Sequence, residues 1–487
     1  MPAQTPQAEV VRARMYLGGQ WVDAGDREVF HSINPTTEQS LASIPVATAD
    51  DVDAAARAAC AAAPEWSGLP WQERSARLRE LAARVQADAP RLAELDARDA
   101  GFPIAAMRRD VAIGADWLHY FAGIAGEVKG VSFPGGASQV QFTAREPYPV
   151  SARIVPYNHP AMFAIQKSAA PLAAGSCVIL KPAEHTSLSA LAFAELADGV
   201  LPPGVLSVLT GTGARTGAAL VAHPAIRRVA FTGSVASGKA VLRAAAEQLK
   251  HVTLELGGKN PLIVFPEVDL AAAVAAAVQG MNLRESAGQS CRSTSRVFVH
   301  AEVYQEFVQR LASAVAALRV GDPLHPDTDV GPLAFGAHYD RVLGHIDSAV
   351  REGARVVVGG GRPPSSPRGL FVAPTVFADV RPDMRIAREE IFGPVLAVIP
   401  WQDADEMLSQ VNDLEYGLTA NVWTDRLRDA HRVAAGIQAG TVWINGTGRI
   451  PSGVPFGGYK HSGIGKEGAL EELLSYTQEK SILMTVG

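Results

Sequence analysis

Beyond Ser151 the chain alternates short apolar runs, each closed by Gly, Pro or a polar residue, with longer stretches of helical spacing. This alternation constrains the fold more than any other feature. Apolar runs of four or five residues, buried on both faces, belong to a parallel sheet, and parallel strands need a crossover, usually a helix, between them. The spacing predicts strands at 153–157, 177–180, 206–210, Arg228–Thr232 and 252–256. A second set follows at 261–265, 297–300, 356–358, 395–399, Thr419–Trp423 and 441–445, interrupted by a Pro- and Ser-rich loop at 362–369. The predicted class is α/β, with a domain boundary near 257–259. A chain of 487 residues exceeds what one hydrophobic core organises, so two or three domains are expected.

Local signals agree with this alternation. Thr48 and Asp51 form a capping box that opens an Ala-rich helix through Ala63, and Cys60 lies inside it. Asp269 is an N-cap for the Ala-rich run 270–278, which is too short to span a bilayer. Segment 132–142 is Gly-rich and then alternating, which suggests a projecting hairpin, and 475–484 is a strand able to pair with it. The 44 basic and 50 acidic side chains leave a formal charge of −6, which gives no global attraction to nucleic acid or anionic membrane. Residues 1–20 are polar and carry no apolar targeting core. Three scattered cysteines, Cys60, Cys177 and Cys291, give no disulfide framework, so a reduced, cytoplasmic setting is expected. The 12 histidines show no metal-ligand spacing, and no catalytic metal is expected.

Several short motifs carry chemistry, each with a plainer alternative. Arg228–Lys239 runs from a strand through Gly233 into a helix that opens near Ser234, a turn able to seat phosphate at a helix N-terminus. Gly233, Gly238 and Lys239 nearly spell a nucleotide-triphosphatase loop, but Ala240 cannot ligate Mg²⁺ as Ser or Thr would. Cys291 sits in Gly288-Gln289-Ser290-Cys291-Arg292-Ser293, among small polar residues that favour a turn. It reads either as a nucleophile, with Arg292 or a helix N-terminus lowering its pKa, or as a loop cysteine. Glu255 lies between two leucines at a strand end, where partial burial suits a general base, the alternative being a pair with Lys259. Asn158 is bracketed by Pro156 and Pro160 in a rigid turn, fit for an oxyanion donor or for an Asx turn. Lys181 and Glu184 follow a strand's carboxyl end, where ribose hydroxyls bind in open α/β sheets, and otherwise form a solvated pair.

In order, PYNHP, KPAE, FTGSVASG, LELGGK, GQSC, EEIFGPV and PFGGYKHSGIGKEG resemble the motifs of the aldehyde dehydrogenase superfamily, from about Tyr16 to Val486. The resemblance implies a Rossmann-like NAD-binding domain (1–127 and 149–257), an α/β catalytic domain (258–468) and a β-arm used for oligomerisation (128–148 and 469–487). It implies Cys291 as nucleophile, Asn158 with the Cys291 backbone N–H as oxyanion hole, and Glu255 as the base for the hydrolytic water. Lys181 and Glu184 would hold the adenosine ribose, Ser234 a phosphate oxygen, and Glu390 the nicotinamide ribose. Phe392 would pack beside the nicotinamide, while Gly233 and Gly238 admit the cofactor closely; Pro156, Tyr157 and Gly257 complete that set. The product would be a carboxylic acid, released from a thioester. A carboxylate at Glu184 would repel a 2′-phosphate, so NAD⁺ is expected over NADP⁺. The partners implied are a small-molecule aldehyde and further copies of the chain, as a homodimer or homotetramer.

Departures from the family pattern fall around the expected substrate tunnel: Tyr157 for Trp, His159 often for Phe, Gln166 for an aromatic residue, Arg292 after the nucleophile, and Arg449 and Ile450 before Phe456. A polar tunnel that accepts a polar or anionic tail is one reading, and His159 and Arg449 facing other protein groups is the other. Two rival functions are a coenzyme-A-acylating relative, which the presence of Glu255 disfavours, and a non-catalytic paralogue, which the presence of Cys291, Glu255 and Asn158 disfavours.

Overall fold

The computed structural model describes residues 11–448 and 450–486. Two largely parallel sheets carry the fold. In the first, the central order is His251–Glu255, Arg228–Thr232, Val150–Ile154, Cys177–Lys181, Leu206–Val208, all parallel. The chain starts in the middle, moves outward one way, and returns to build the other half. The direction therefore reverses between Val150–Ile154 and Arg228–Thr232, and in open α/β sheets the crevice beyond such a reversal is where ligands bind. Short antiparallel strands close both edges: Met15–Leu17 with Gln20–Val22 on one side, and Gly463–Ile464 on the other.

The second sheet runs Arg355–Val358, Thr375–Ala378, Val395–Trp401, Arg296–His300, Pro261–Val264, Thr419–Trp423, Thr441–Ile444, parallel except at the Arg355–Val358 edge. Each sheet has its own hydrophobic core. The first includes residues from Met15 to Leu256 and takes in Leu473 and Tyr476, and the second runs from Leu262 to Ile437. The hairpin expected at 132–142 forms from Ser132–Phe133 and Gln139–Pro147, and Thr477–Thr485 pairs along the latter from Thr477↔Pro147 to Thr485↔Gln139.

The capping box at Thr48 and Asp51 is present, but the helix runs on from Ala49 to Gly68, past Pro64. Fully buried Trp66 anchors this last turn, and tertiary packing outweighs the lost N–H. Asp269 caps the helix Leu270–Gly280 through the N–H groups of Ala271 and Ala272. The structure adds a strand at Thr375–Ala378 that the sequence reading does not place. Cys177 is buried in its strand and Cys60 lies on the exposed face of its helix. Among the described residues no helix is long and apolar enough to cross a membrane.

Candidate active site

Three loops converge beyond the reversal point of the first sheet. One leaves Val150–Ile154 and carries Pro156, Tyr157, Asn158 and His159 into the helix Pro160–Ala174. Another leaves His251–Glu255 and crosses to the second sheet through Gly257, Gly258, Lys259 and Asn260. The third is the turn that holds Cys291. Its shape depends on Ala287 and Gly288, both with positive φ (+51° and +74°), and a Cβ at Gly288 would lie 2.5 Å from the carbonyl oxygen of Gly393.

Buried amides pin the Cys291 turn from both sides. Asn260 Nδ2 donates to the carbonyls of Cys291 (2.8 Å) and Ser293 (3.0 Å), while its Oδ1 accepts from Thr419 N. Gln289 Nε2 donates to the Ser286 carbonyl, and its Oε1 accepts from Ala334 N. Asn158, also buried, donates from Nδ2 to the Gln289 carbonyl at 2.9 Å, two residues before Cys291. An amide nitrogen has two N–H donors, so one anchors Asn158 to the turn and the second remains for a ligand beside it.

Cys291 keeps part of its surface open, yet the protein packed round it pushes its thiol up to about 11. Arg292 pulls the other way without overcoming this; the negative charges of Glu255 and Glu390 add to the rise. The expectation that Arg292 lowers the pKa is thus met in direction and outweighed in sum. Arg292 instead donates from Nη1 to the Gly448 carbonyl at 2.8 Å.

Glu255 is buried and both carboxylate oxygens lack a hydrogen-bond partner among the described residues. Burial, then the neighbouring Glu467 charge, raises its pKa well above the ordinary value, against Lys167 and Lys466. The alternative pair with Lys259 does not form: Lys259 Nζ is buried without a partner among the described residues, and burial lowers its pKa to about 7. Beside Glu255 lies a buried ionic cluster that the motifs did not reveal. Lys167 donates to Glu467, which also accepts from Arg153 at 2.9 Å, and Arg153 donates to the Tyr476 hydroxyl. Burial would raise Glu467, but Lys167 and Arg153 hold it at about 2. The available sequence signal was Lys167 itself, a cation between Gln166 and Ser168 in a helix whose other residues are apolar. The glycines of the PFGG segment have a steric reason: a Cβ on Gly457 would sit 2.5 Å from the Gly465 carbonyl oxygen and 2.8 Å from Glu255 Oε1.

The residues expected at a dinucleotide fall into separate local groups, at the ends of strands of the first sheet and on the segments that border them. Lys181 Nζ is buried, donates to the Pro182 carbonyl at 2.9 Å and lies 3.4 Å from Glu184 Oε2. Burial would raise Glu184, but Lys181 and the backbone hold it below the ordinary carboxylate range. Ser234 is exposed and caps the helix Val235–Ala246, accepting from Ser237 N. The two glycines make room for protein. A Cβ at Gly233 would meet the Phe231 ring at 2.6 Å, and one at Gly238 would meet Leu256 at 2.6 Å. Glu390 accepts from Gly258 N at 3.0 Å, and burial pushes it up to about 7. A Cβ on Gly257 would fall 1.9 Å from Glu390 Oε2, so any larger residue there would displace that carboxylate. Phe392 has φ +59° and its carbonyl accepts from His338 Nε2. Its ring and that of Phe335 pack edge-on against Tyr157. Exposed helix N-terminus, ionised carboxylate and a glycine that admits a second carboxylate suit the phosphates and two riboses of a dinucleotide.

Of the expected tunnel residues, His159 pairs through Nδ1 with Asp110 Oδ2 at 2.6 Å. Gln166, Arg292, Ile450 and Phe456 are partly exposed, and Arg449 lies outside the described residues.

The profile described as "Aldehyde dehydrogenase family" matches residues 21–482. A hydroxyisobutyraldehyde dehydrogenase of Mycolicibacterium austroafricanum is 43% identical over 471 residues, covering 96% of this chain and 93% of that one. The NAD⁺ complex of a Bacillus cereus aldehyde dehydrogenase superposes with a TM-score of 0.94 at 38% identity, covering 100% of this chain and 99% of that one. PnpE from Pseudomonas sp. WBC-3, in complex with nicotinamide adenine dinucleotide, gives 0.95 at 37% identity, with 98% of each chain covered.

Proposed function

The chain belongs to the aldehyde dehydrogenase family, and from that premise we propose that Cys291, Glu255 and Asn158 carry its reaction. The reaction itself is the NAD-dependent oxidation of an aldehyde to the corresponding carboxylic acid. The observation that carries the assignment is Glu255: a buried carboxylate with both oxygens unpartnered among the described residues, close enough for its charge to act on the Cys291 thiol.

Cys291 as thiolate attacks the aldehyde carbon; a C–S bond forms and the carbonyl oxygen becomes an alkoxide. The free N–H of Asn158 and the backbone N–H of Cys291 receive that charge. Bound NAD⁺ supplies the hydride acceptor that turns this adduct into a thioester. Glu255 then takes a proton from water, the hydroxide adds to the thioester carbon, the C–S bond breaks, and acid and thiolate separate. The unpartnered oxygens and raised pKa of Glu255 suit it to the base role, and the same features favour hydrolysis over transfer to coenzyme A. Lys181, Glu184, Gly233, Ser234, Gly238, Gly257, Glu390, Phe392, Pro156 and Tyr157 are assigned to the cofactor. Gln166, Arg292, Arg449, Ile450 and Phe456, with His159, are assigned to the tunnel.

We further divide the chain into an NAD-binding domain (1–127 and 149–257), a catalytic domain (258–468) and an arm (128–148 and 469–487). Exposed Phe133, Val140, Leu483 and Met484 on the arm favour a homodimer or homotetramer. Three free cysteines favour the cytoplasm.

The test is NADH formation across short, long, aromatic and semialdehyde substrates, with Cys291→Ala and added coenzyme A as controls. Turnover that vanishes in the variant, with acid as product in both buffers, supports the reading. An acyl-thioester product with coenzyme A, or turnover surviving in the variant, overturns it.

A further inference from the structure

The helix Ala89–Asp99 carries two carboxyls, Asp96 and Asp99, into the interior beside the first sheet, and both are buried. Three residues apart, they share one face of the helix. Burial pushes Asp96 up to about 8 and Asp99 up to about 7. A position that served packing alone would hold an apolar side chain, because a buried carboxyl is costly unless hydrogen bonds offset its lost hydration. Those hydrogen bonds go to the starts of two other helices. Asp96 Oδ2 accepts from Ala161 N at 2.9 Å, in the first turn of Pro160–Ala174. Asp99 Oδ2 accepts from Leu188 N at 3.3 Å, the first residue of Leu188–Ala197, and its Oδ1 accepts from Ser32 Oγ.

Among the described residues neither of these helices has a side-chain cap from its own N-cap residue. His159 turns its ring to Asp110, and Ser187 donates its hydroxyl to the Ala183 carbonyl. One N–H of each helix start is therefore met from outside, by the same third helix. Both helices follow loops of the candidate site. Strands Val150–Ile154 and Cys177–Lys181 are adjacent and parallel, and Val155 N donates to the Lys181 carbonyl at 3.0 Å where the two loops begin. The first loop carries Asn158, three residues before Ala161, and the second carries Glu184, four residues before Leu188. The Gln289 carbonyl fixes Asn158 on its side-chain side, and Asp96 fixes the chain that leads away from it.

We propose that Asp96 and Asp99 are positioning residues for the reaction, Asp96 setting Asn158 against the substrate oxygen and Asp99 setting Glu184 against the adenosine ribose, so that one helix aligns two loops that act at different points. This rests on the assignment of Asn158 to the oxyanion and of Glu184 to the ribose. The two carboxyls then have separable effects. A donor misplaced by about 1 Å costs up to about 10² in rate, so Asp96 acts on turnover. A carboxylate moved off a ribose hydroxyl loses about fivefold in affinity, the scale of one hydrogen bond, so Asp99 acts on cofactor binding.

The experiment measures kcat for propanal at saturating NAD⁺, and the Kd of NAD⁺ by fluorescence titration, in the wild type and in Ala and Asn variants at both positions. Asp96→Ala is expected to lower kcat about tenfold or more with Kd little changed. Asp99→Ala is expected to raise Kd about fivefold or more with kcat little changed. Asp96→Asn and Asp99→Asn keep an acceptor for the helix N–H and recover most of each loss. Where an Ala variant does not fold, Asp96→Glu or Asp99→Glu, which moves the acceptor by one methylene, takes its place and shows the same split. The split is the readout because general loosening of the fold moves both quantities together. Variants that shift kcat and Kd in parallel, or shift neither, overturn this inference. Asn158→Ala and Glu184→Ala run alongside. If these leave kcat and Kd at wild-type values, the site assignment falls and takes the inference with it; if they act while the Asp96 and Asp99 variants do not, the inference alone falls.

Discussion

Asn158 Nδ2 donates to the backbone carbonyl of Gln289 at 2.9 Å, which ties the oxyanion candidate to the same turn that carries Cys291. That bond joins the loop after Val150–Ile154 to the turn that carries the nucleophile.

Replacing Asn158 by Ala removes both the tether and the free N–H. Loss of one preorganised oxyanion donor costs about 10²–10³ in kcat. The expected outcome is a kcat reduced by that factor with NAD⁺ binding retained, measured by steady-state NADH formation and fluorescence titration. A variant within threefold of wild type would remove Asn158 from the reaction.

Glu255→Gln separates the two halves of the cycle. Gln cannot take a proton from water, so the thioester accumulates while the first half still runs. Stopped-flow absorbance should show a burst of about one NADH per active site, followed by a steady rate lower by about 10²-fold or more. A linear trace with no burst would assign Glu255 to the first half instead.

The thiol of Cys291 is pushed up to about 11 by its surroundings, above its ordinary value. Below that pH the thiolate fraction grows about tenfold per unit, so alkylation of the apoprotein by iodoacetamide should climb steadily and level only near about 11. The linkage sign follows: the folded state holds the proton more tightly than the unfolded chain. This contribution to stability is complete below the ordinary thiol pKa and disappears as pH rises through about 11. In Glu255→Gln one negative neighbour is gone, and the alkylation midpoint should move down. A plateau near neutral pH in the wild type would contradict this.

The parallel strands were legible because each is a short, mostly apolar run ended by Gly or a polar residue, as at Arg228–Thr232 and Thr419–Trp423, where prediction and structure share both ends. The capping box at Thr48 was legible because it is local. Lys167, Glu467 and Arg153 were not, because they lie on a helix, a loop and a strand far apart in sequence and meet only through the packing. Asn260 and Gln289, which hold the Cys291 turn, sat inside quoted or neighbouring motifs, yet their partners are backbone carbonyls that no spacing announces. The sign of the Cys291 shift was obscured for a related reason. Arg292 is visible in sequence, and the burial that outweighs it is not.

Glu184 sits at a strand's carboxyl end, held ionised by Lys181 despite its burial. A carboxylate there accepts from two free ribose hydroxyls and repels a 2′-phosphate. Wild-type kcat/KM should favour NAD⁺ over NADP⁺, and Glu184→Ser should narrow the ratio by about tenfold, equivalent to about 1.4 kcal/mol. An unchanged ratio would place cofactor choice elsewhere.

Gly257 and Glu390 make the sharpest steric test of the cofactor cluster. Glu390 accepts from Gly258 N, and the carboxylate lies where a Cβ on Gly257 would be, 1.9 Å from Oε2. Gly257→Ala therefore forces Glu390 out of its seat, while the Cys291 turn keeps its anchor on Asn260. If Glu390 holds the nicotinamide ribose, KM for NAD⁺ should rise about tenfold or more, with KM for aldehyde little changed. Glu390→Gln keeps the fit and the Gly258 contact but removes the charge, so it should cost less than Gly257→Ala. If Gly257→Ala binds NAD⁺ as tightly as wild type, the carboxylate beside Gly257 does not hold the cofactor.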